Sequence, residues 1–284
     1  MNKDCTFLLS SYDGGEDLWE GFFKALSVQW PEMDMRIVLN TEKKHYSFPG
    51  YTIESFEPCK NKEMTWAERL VDTLKHIDTE YTLLFLEDFW LDDKVDDEFF
   101  RKTLEWMKEN PDVANFSYYP CLPGTNIDDG KYERFELRPQ KCEYKFNCQV
   151  GLWRTKELIG FFRLHEDPWE WEIFGSMRAG RCKQSFYSLK GDAPLVFSYG
   201  DNLTGCIIHR GKWVKDAVIP LAEKYGLEID YSKRGFEDFD EFWKNVNASF
   251  WEKLMRGDLF GRLFRKINKQ YRKYLSLRKI DGEL

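Results

Sequence analysis

The sequence predicts an α/β fold, a mixed, mostly parallel sheet flanked by helices and followed by a helical tail. Three observations carry this prediction. Strand-like and helix-like segments alternate through the first half of the chain. The apolar run Tyr81-Thr-Leu-Leu-Phe-Leu86 ends abruptly in two acids, Glu87 and Asp88, as a buried strand does where it emerges at the edge of a parallel sheet. The segment before it, Thr65 to Ile77, has amphipathic spacing and a capping box of Thr65 with Glu68. Strand–helix–strand order of this kind implies right-handed crossovers.

Taken in order, Thr6 to Ser11 reads as a first strand and Tyr12-Asp13-Gly14-Gly15 as a polar turn. Asp17 to Leu26 has helical spacing and an acidic start. Met35 to Leu39 and Tyr51 to Phe56 are the next strands, before the capped helix and the acid-ended strand. A helix from Asp96 to Glu109 stops at Asn110-Pro111. The second half is less regular. It offers strands at Val113 to Tyr119 and Phe146 to Trp153, a loop from Pro120 to Gly130, and a short helix at Lys156 to Arg163. A helix opens at Trp169 after Asp167-Pro168. Short strands are expected at Pro194 to Tyr199 and Cys206 to His209, and helix from Lys212 onward.

The 284 residues suffice for one large domain or two small ones, and 42% apolar residues supply a core. A charged fraction of 32% suits a soluble protein, and a net charge of -7 argues against nucleic acid as a partner. Aromatics reach 17%, which serves a bulky core or, in part, stacking surfaces for sugars and nucleobases. The seven cysteines, at 5, 59, 121, 142, 148, 182 and 206, form no C-x-x-C pair, so neither a zinc site nor a disulfide framework is expected. The N-terminus carries no secretory pattern, and no apolar run approaches the roughly 20 residues of a membrane span. The expected setting is cytoplasmic.

In open α/β sheets ligands bind beyond the carboxyl ends of the strands, where Glu87 and Asp88 are expected. Four further segments surround that point in the sequence: Ser10-Ser11-Tyr12-Asp13, Arg69 on the preceding helix, Trp169-Glu170-Trp171-Glu172 with Arg178 six residues on, and His209-Arg210-Gly211-Lys212. In this order they resemble the nucleotide-sugar glycosyltransferases of the GT-A fold, close to the family-2-like enzymes of bacterial capsule and lipopolysaccharide synthesis. The resemblance covers about residues 4 to 215.

It implies a catalytic domain over 1–215, with a nucleotide-sugar half of about 1–110 and an acceptor half of about 111–215. A helical extension would occupy 216–284. Ser11 and Asp13 would meet the nucleoside, with an Asx turn as the other reading of Asp13. Arg69 would contact the nucleotide, or else pair with a neighbouring acid on the helix surface. Glu87, Asp88 and a late His209 would hold Mg²⁺ or Mn²⁺ on the donor diphosphate. The motif departs from the family's Asp-x-Asp: Phe89 stands where the second Asp belongs, and a turn after Leu86 is required for both acids to reach one ion. That leaves the metal requirement open, with helix capping or lysine pairing as the plainer role for the two acids. Arg210 and Lys212 would meet phosphate oxygens.

Glu172 would be the general base that deprotonates the acceptor, with Glu170 as the second candidate. Trp169 and Trp171 would form the acceptor-sugar platform, or anchor the core. Gln149, in Phe146 to Trp153, would hydrogen-bond an acceptor sugar. A UDP-sugar is the favoured donor, and the acceptor is a saccharide, free or lipid-linked.

From residue 250 the chain changes character, and between Lys253 and Lys279 it is rich in Lys and Arg with a single acid, Asp258. Leu259, Phe260, Leu263, Phe264, Ile267, Tyr271 and Leu275 recur at helical spacing. A basic amphipathic helix at 250–280 can lie on the anionic inner face of the cytoplasmic membrane, or pack its stripe on the domain. Two rival functions remain. A nucleotidyltransferase would bring a basic, Gly-rich first loop, whereas Tyr12 to Asp17 is acidic. A non-catalytic carbohydrate-binding module would use the aromatics alone.

Overall fold

The computed structural model describes residues 2–121, 124–199, 206–239 and 269–277. Eight strands form one sheet: β1 Asn2–Ser10, β2 Met35–Asn40, β3 Ile53–Phe56, β4 Tyr81–Leu86, β5 Val113–Ser117, β6 Phe135–Leu137, β7 Gly151–Arg154 and β8 Ser185–Leu189. Their order is β3-β2-β1-β4-β7-β5-β8-β6. The four strands from β3 to β4 run parallel, as do β5 and β8, while β7 and β6 are antiparallel to their neighbours. This is the mixed, mostly parallel sheet that the strand–helix alternation predicts.

Alternation along the central strands divides the interior in two, because successive side chains leave opposite faces. Phe7 and Leu9 of β1, with Leu83 and Phe85 of β4, enter one core. That core is covered by α1 (Glu16–Gln29), α3 (Asp97–Glu109) and α6 (Lys215–Tyr225). Leu8 and Leu84 point the other way, into a core beneath α2 (Trp66–His76) and α4 (Thr155–Gly160). The predicted capping box closes α2: Glu68 N donates to Thr65 Oγ1 at 3.2 Å and Thr65 N to Glu68 Oε2 at 2.8 Å. Asp96 caps α3 through the N–H of Phe99.

After Asp167-Pro168, a helical segment runs through Pro168–Glu170, Trp171–Gly175 and Ser176–Ala179, and its middle stretch is π-wound. We call the whole α5. Residues 269–277 form a last described helix lying on α5: Arg272 bonds both carboxylate oxygens of Glu170, and Ser276 Oγ lies 3.0 Å from His165 Nε2. So the part of the basic tail that is described packs on the domain, with Tyr271 and Tyr274 exposed. The rest of the 250–280 segment lies outside the described residues. Among the described residues, no helix is long and apolar enough to cross a membrane.

Several local expectations shift. The third strand begins at Ile53, and Phe146 to Val150 is irregular, so only Gly151–Arg154 joins the sheet. Strands β6 and β8 arise where no strand is expected. Helix does not follow directly from Lys212: β9 (Ile208–His209) and β10 (Lys212–Trp213) form a hairpin before α6. Its two-residue turn, Arg210-Gly211, has φ of 52° and 83°, the signature of a type I′ hairpin.

Candidate active site

Parallel register brings the functional segments together. Ser10 of β1 pairs with Asn40 of β2 on one side and Leu86 of β4 on the other, so the loops after these strands leave from one edge. Beyond that edge lies a cavity of ≈ 390 Å³. Ser11, Arg69, Glu87, Asp88, Glu172 and Arg210 all line it, together with Trp169 at its rim. Residues spread over two hundred positions of sequence thus converge on one place. Of the expected donor-side residues, Asp13 and Lys212 are not among the lining.

The turn that the acid pair requires is present. Phe89 N donates to Leu86 O at 3.2 Å, bending the chain after β4 through Glu87 and Asp88. Phe89 itself is buried and stacks on Tyr199 at 4.5 Å, so this position is spent on packing. Burial raises the pKa of both acids above the ordinary carboxylate range, and for Glu87 the neighbouring Asp88 adds to the effect. Ser11 bonds Glu87, and the guanidinium of Arg234 acts on both acids in the opposite sense, favouring their charged forms. The plainer reading of the pair, as helix caps or lysine partners, finds no such partner among the described residues.

Arg234 is the residue that the sequence reading missed. Its guanidinium reaches across from the segment after α6 to grip Asp17 at 2.8 Å (Nε to Oδ2) and Gly14 O at 2.7 Å, and it lines the cavity. Nothing in Tyr231-Ser-Lys-Arg-Gly marks it: one arginine in a short polar stretch has no periodicity or motif, and only the fold brings it to Asp17.

Arg69 is buried. It donates to Ser11 O and to Glu42 Oε1 at 3.4 and 3.3 Å, which replaces the surface pair considered for it. Asp13 turns away from the cavity. Its carboxylate accepts the backbone N–H groups of Glu42, Lys43 and Lys44, fastening the first loop to the one after β2, and these bonds hold its pKa down against burial. These bonds join two loops rather than closing an Asx turn, since the N–H of Gly15 donates to Tyr12 O. Lys212 is exposed on the hairpin. His209 Nδ1 lies 2.9 Å from Glu237 Oε2 and does not line the cavity, so the expected third metal ligand is engaged elsewhere. Arg210 does line it, from a left-handed backbone that costs on the order of 1–2 kcal/mol in a non-glycine residue.

Glu172 sits in the π-wound turn of α5, a distortion often found at functional sites. Its Oε1 accepts the N–H of Cys148 at 2.8 Å, and burial raises its pKa. Glu170 points differently. It completes a capping box with Asp167 and binds Arg272, so the two candidates separate cleanly into a cavity carboxylate and a structural one. The tryptophans separate too. Trp169 is 70% exposed, but Trp171 is fully buried against Phe146, Phe162 and Trp153, a core anchor rather than a sugar platform. Gln149 Oε1 accepts from Tyr199 at 2.9 Å and lines a second cavity together with Glu172.

A divalent cation fits the acid pair in part. Asp88 Oδ1 is buried with no hydrogen-bond partner among the described residues. No group of three or more His, Cys, Asp or Glu side chains that could hold a metal occurs among them. Two carboxylates suit Mg²⁺ or Mn²⁺ where substrate phosphates complete the shell, as Mg²⁺ commonly requires.

No protein-family model and no curated protein sequence matches the chain. Among solved structures it is similar to the mannosyltransferase PcManGT from Pyrobaculum calidifontis in complex with GDP-Man and Mn²⁺, at 12% identity over 69% of this chain and 56% of that one, TM-score 0.47. It is also similar to TarS 1-349 from S. aureus (12%, 67% and 59%, TM-score 0.42) and to a cytidylyltransferase from Leptospira borgpetersenii (10%, 67% and 77%, TM-score 0.42). The chain spans a little over half the length of the first two. At such scores and identities no residue role or activity carries over from them.

Proposed function

We propose that this chain is a glycosyltransferase that moves a sugar from a nucleoside-diphosphate donor, a UDP-sugar by preference, to a saccharide acceptor. One observation supports this above the others: a single cavity at the carboxyl edge of the parallel strands holds an acid pair, guanidinium groups and a separate half-buried carboxylate. Arg69, Arg210 and Arg234 are donors suited to a diphosphate. Glu87 and Asp88 are the groups that would hold Mg²⁺ or Mn²⁺, which when bound neutralises the charge of the leaving diphosphate.

Glu172 is the general base of the proposal. Its carboxylate takes the proton of the acceptor hydroxyl as that oxygen bonds to the anomeric carbon from the face opposite the donor phosphate. The bond from that carbon to the phosphate oxygen breaks, the electron pair leaves with the nucleoside diphosphate, and the anomeric configuration inverts. Burial suits Glu172 to this task, because a carboxylate with a raised pKa is a stronger base. Bacterial surface polysaccharide synthesis is the setting proposed for the reaction. An acceptor linked to lipid would bring the chain to the inner membrane surface through its basic tail.

Melting the protein in a panel of UDP- and GDP-sugars tests the donor half, since a ligand selective for the folded state raises its apparent stability. A stabilising nucleotide sugar that Glu172→Gln still binds, but no longer transfers, is the expected result. Full transfer by Glu172→Gln removes the base assignment, and indifference to every nucleotide sugar removes the function.

A further inference from the structure

We propose that the cavity on the far side of Glu172 is the acceptor subsite, and that it takes a neutral saccharide on a platform formed by Tyr119 and Tyr144. The proposal rests on the transferase reading and adds a place and a ligand class to it. Glu172 is the wall that two cavities share. The donor-side cavity carries the acid pair and guanidinium groups, whereas the second, of ≈ 370 Å³, is lined by Tyr119, Pro120, Tyr144, Asn147 and Gln149 beside Glu172. Among the described residues no cation lines this second space, and Glu172 is its one carboxylate. Rings and amides without charge suit a hydroxyl-rich, neutral ligand: ring faces pack on the C–H faces of a sugar, and amides both donate and accept.

The two tyrosines are exposed although most rings of this chain lie in its cores. Tyr119 and Tyr144 are 39% and 38% accessible. They are also held in place. Arg138, only 2% exposed, donates to Cys121 O at 2.6 Å, to Glu143 O at 2.8 Å and to Tyr144 O at 2.9 Å. A single buried guanidinium thus ties the segment after Tyr119 to the one that presents Tyr144. Tyr144 has φ of 45°, a left-handed conformation that a tyrosine adopts only where its surroundings enforce it. Gln149 is fixed through Tyr199, whose ring stacks on Phe89 next to the acid pair. Beyond Tyr144 opens a wider space of ≈ 670 Å³, so an acceptor longer than one sugar has room to extend.

Saturation-transfer NMR with a panel of methyl hexosides, methyl N-acetylhexosaminides and their disaccharides tests the subsite, alongside melting shifts with UDP and GDP. The variants are Tyr119→Ala and Tyr144→Gly, the second of which relieves the backbone. We expect at least one glycoside to show transfer with the wild type and to bind each variant about tenfold more weakly, the scale of one lost aromatic contact, while the nucleotide shifts are unchanged. Equal glycoside binding by wild type and both variants overturns the subsite, as does silence from every glycoside in a protein that still binds nucleotide. Tyrosine-dependent glycoside binding without any nucleotide shift would keep the subsite and discard the transferase reading.

Discussion

Arg178 pairs with Glu166, not with Glu172. Both of its terminal nitrogens reach the Glu166 carboxylate at 2.6 Å, and the acid is fully buried. The same guanidinium donates to Phe161 O and Ser276 O, so it joins α5 to the turn after α4 and to helix 269–277. Removing one partner of a buried pair strands the other charge, at about 3–5 kcal/mol. Arg178→Ala and Glu166→Ala should therefore each lower the denaturation free energy by that order. A loss below about 1 kcal/mol in urea titration, the level of an exposed pair, would show that the bond is not buried in solution.

Freed from Arg178, Glu172 is governed by its burial and, in the opposite sense, by the N–H and the thiol of Cys148. A base must be deprotonated to act, so the transfer rate should rise with pH through a pKa above that of an ordinary glutamate. The peptide N–H survives substitution at Cys148 but the thiol's bond to the carboxylate does not, so Cys148→Ala should move this limb to higher pH. A rate that is flat across the acid range, with bound substrate held saturating, would exclude Glu172 as the titrating base.

The fold was more legible in the sequence than the site. Periodicity locates α1, α2, α3 and strands β1 to β5, because each of these faces a core and must repeat at its own period. It misses β6 and β8. Phe135–Leu137 is too short to show alternation, and Ser185–Leu189 is buried along nearly its whole length. At the site, Glu87, Asp88 and Glu172 were visible because acids beside apolar runs are conspicuous. Arg234 and Arg138 were invisible, since each matters only through backbone and side-chain partners far away in the sequence. The spacing places Arg178 six residues after Glu172, but only the fold brings its guanidinium to Glu166.

The acid pair makes stability depend on pH in an unusual sense. In the folded chain burial raises both pKa values, so the folded state binds protons more tightly than the unfolded one. The stabilising contribution is then complete below the ordinary carboxylate pKa and is lost as pH rises through the folded values. In chelator, the melting temperature of wild type relative to Glu87→Gln should fall between about pH 5 and about pH 8. A difference that grows with pH would mean that the pair is held charged, with Arg234 outweighing desolvation. Because a cation requires the charged carboxylates, Mn²⁺ added to the wild type should stabilise more at the alkaline end.

Gly15 tests how tightly Glu87 is fixed. A Cβ at this position would lie 2.8 Å from Glu87 Oε1 and 3.1 Å from Ser11 Oγ, in a turn whose backbone suits any residue. Alanine there must displace the carboxylate rather than strain the chain. Overpacking of this kind costs about 1–3 kcal/mol. If Glu87 is the obstacle, Gly15→Ala should be costly in the wild type and nearly neutral in a Glu87→Ala background, where the oxygen is gone. That difference is the interaction energy of a double-mutant cycle, measured by urea denaturation of the four proteins. The same substitution should weaken Mn²⁺ binding by the otherwise intact protein, because it moves one of the two carboxylates that would hold the ion. Additive effects in the cycle would place the Glu87 carboxylate away from Gly15, and the acid pair would then be free to swing out of the cavity.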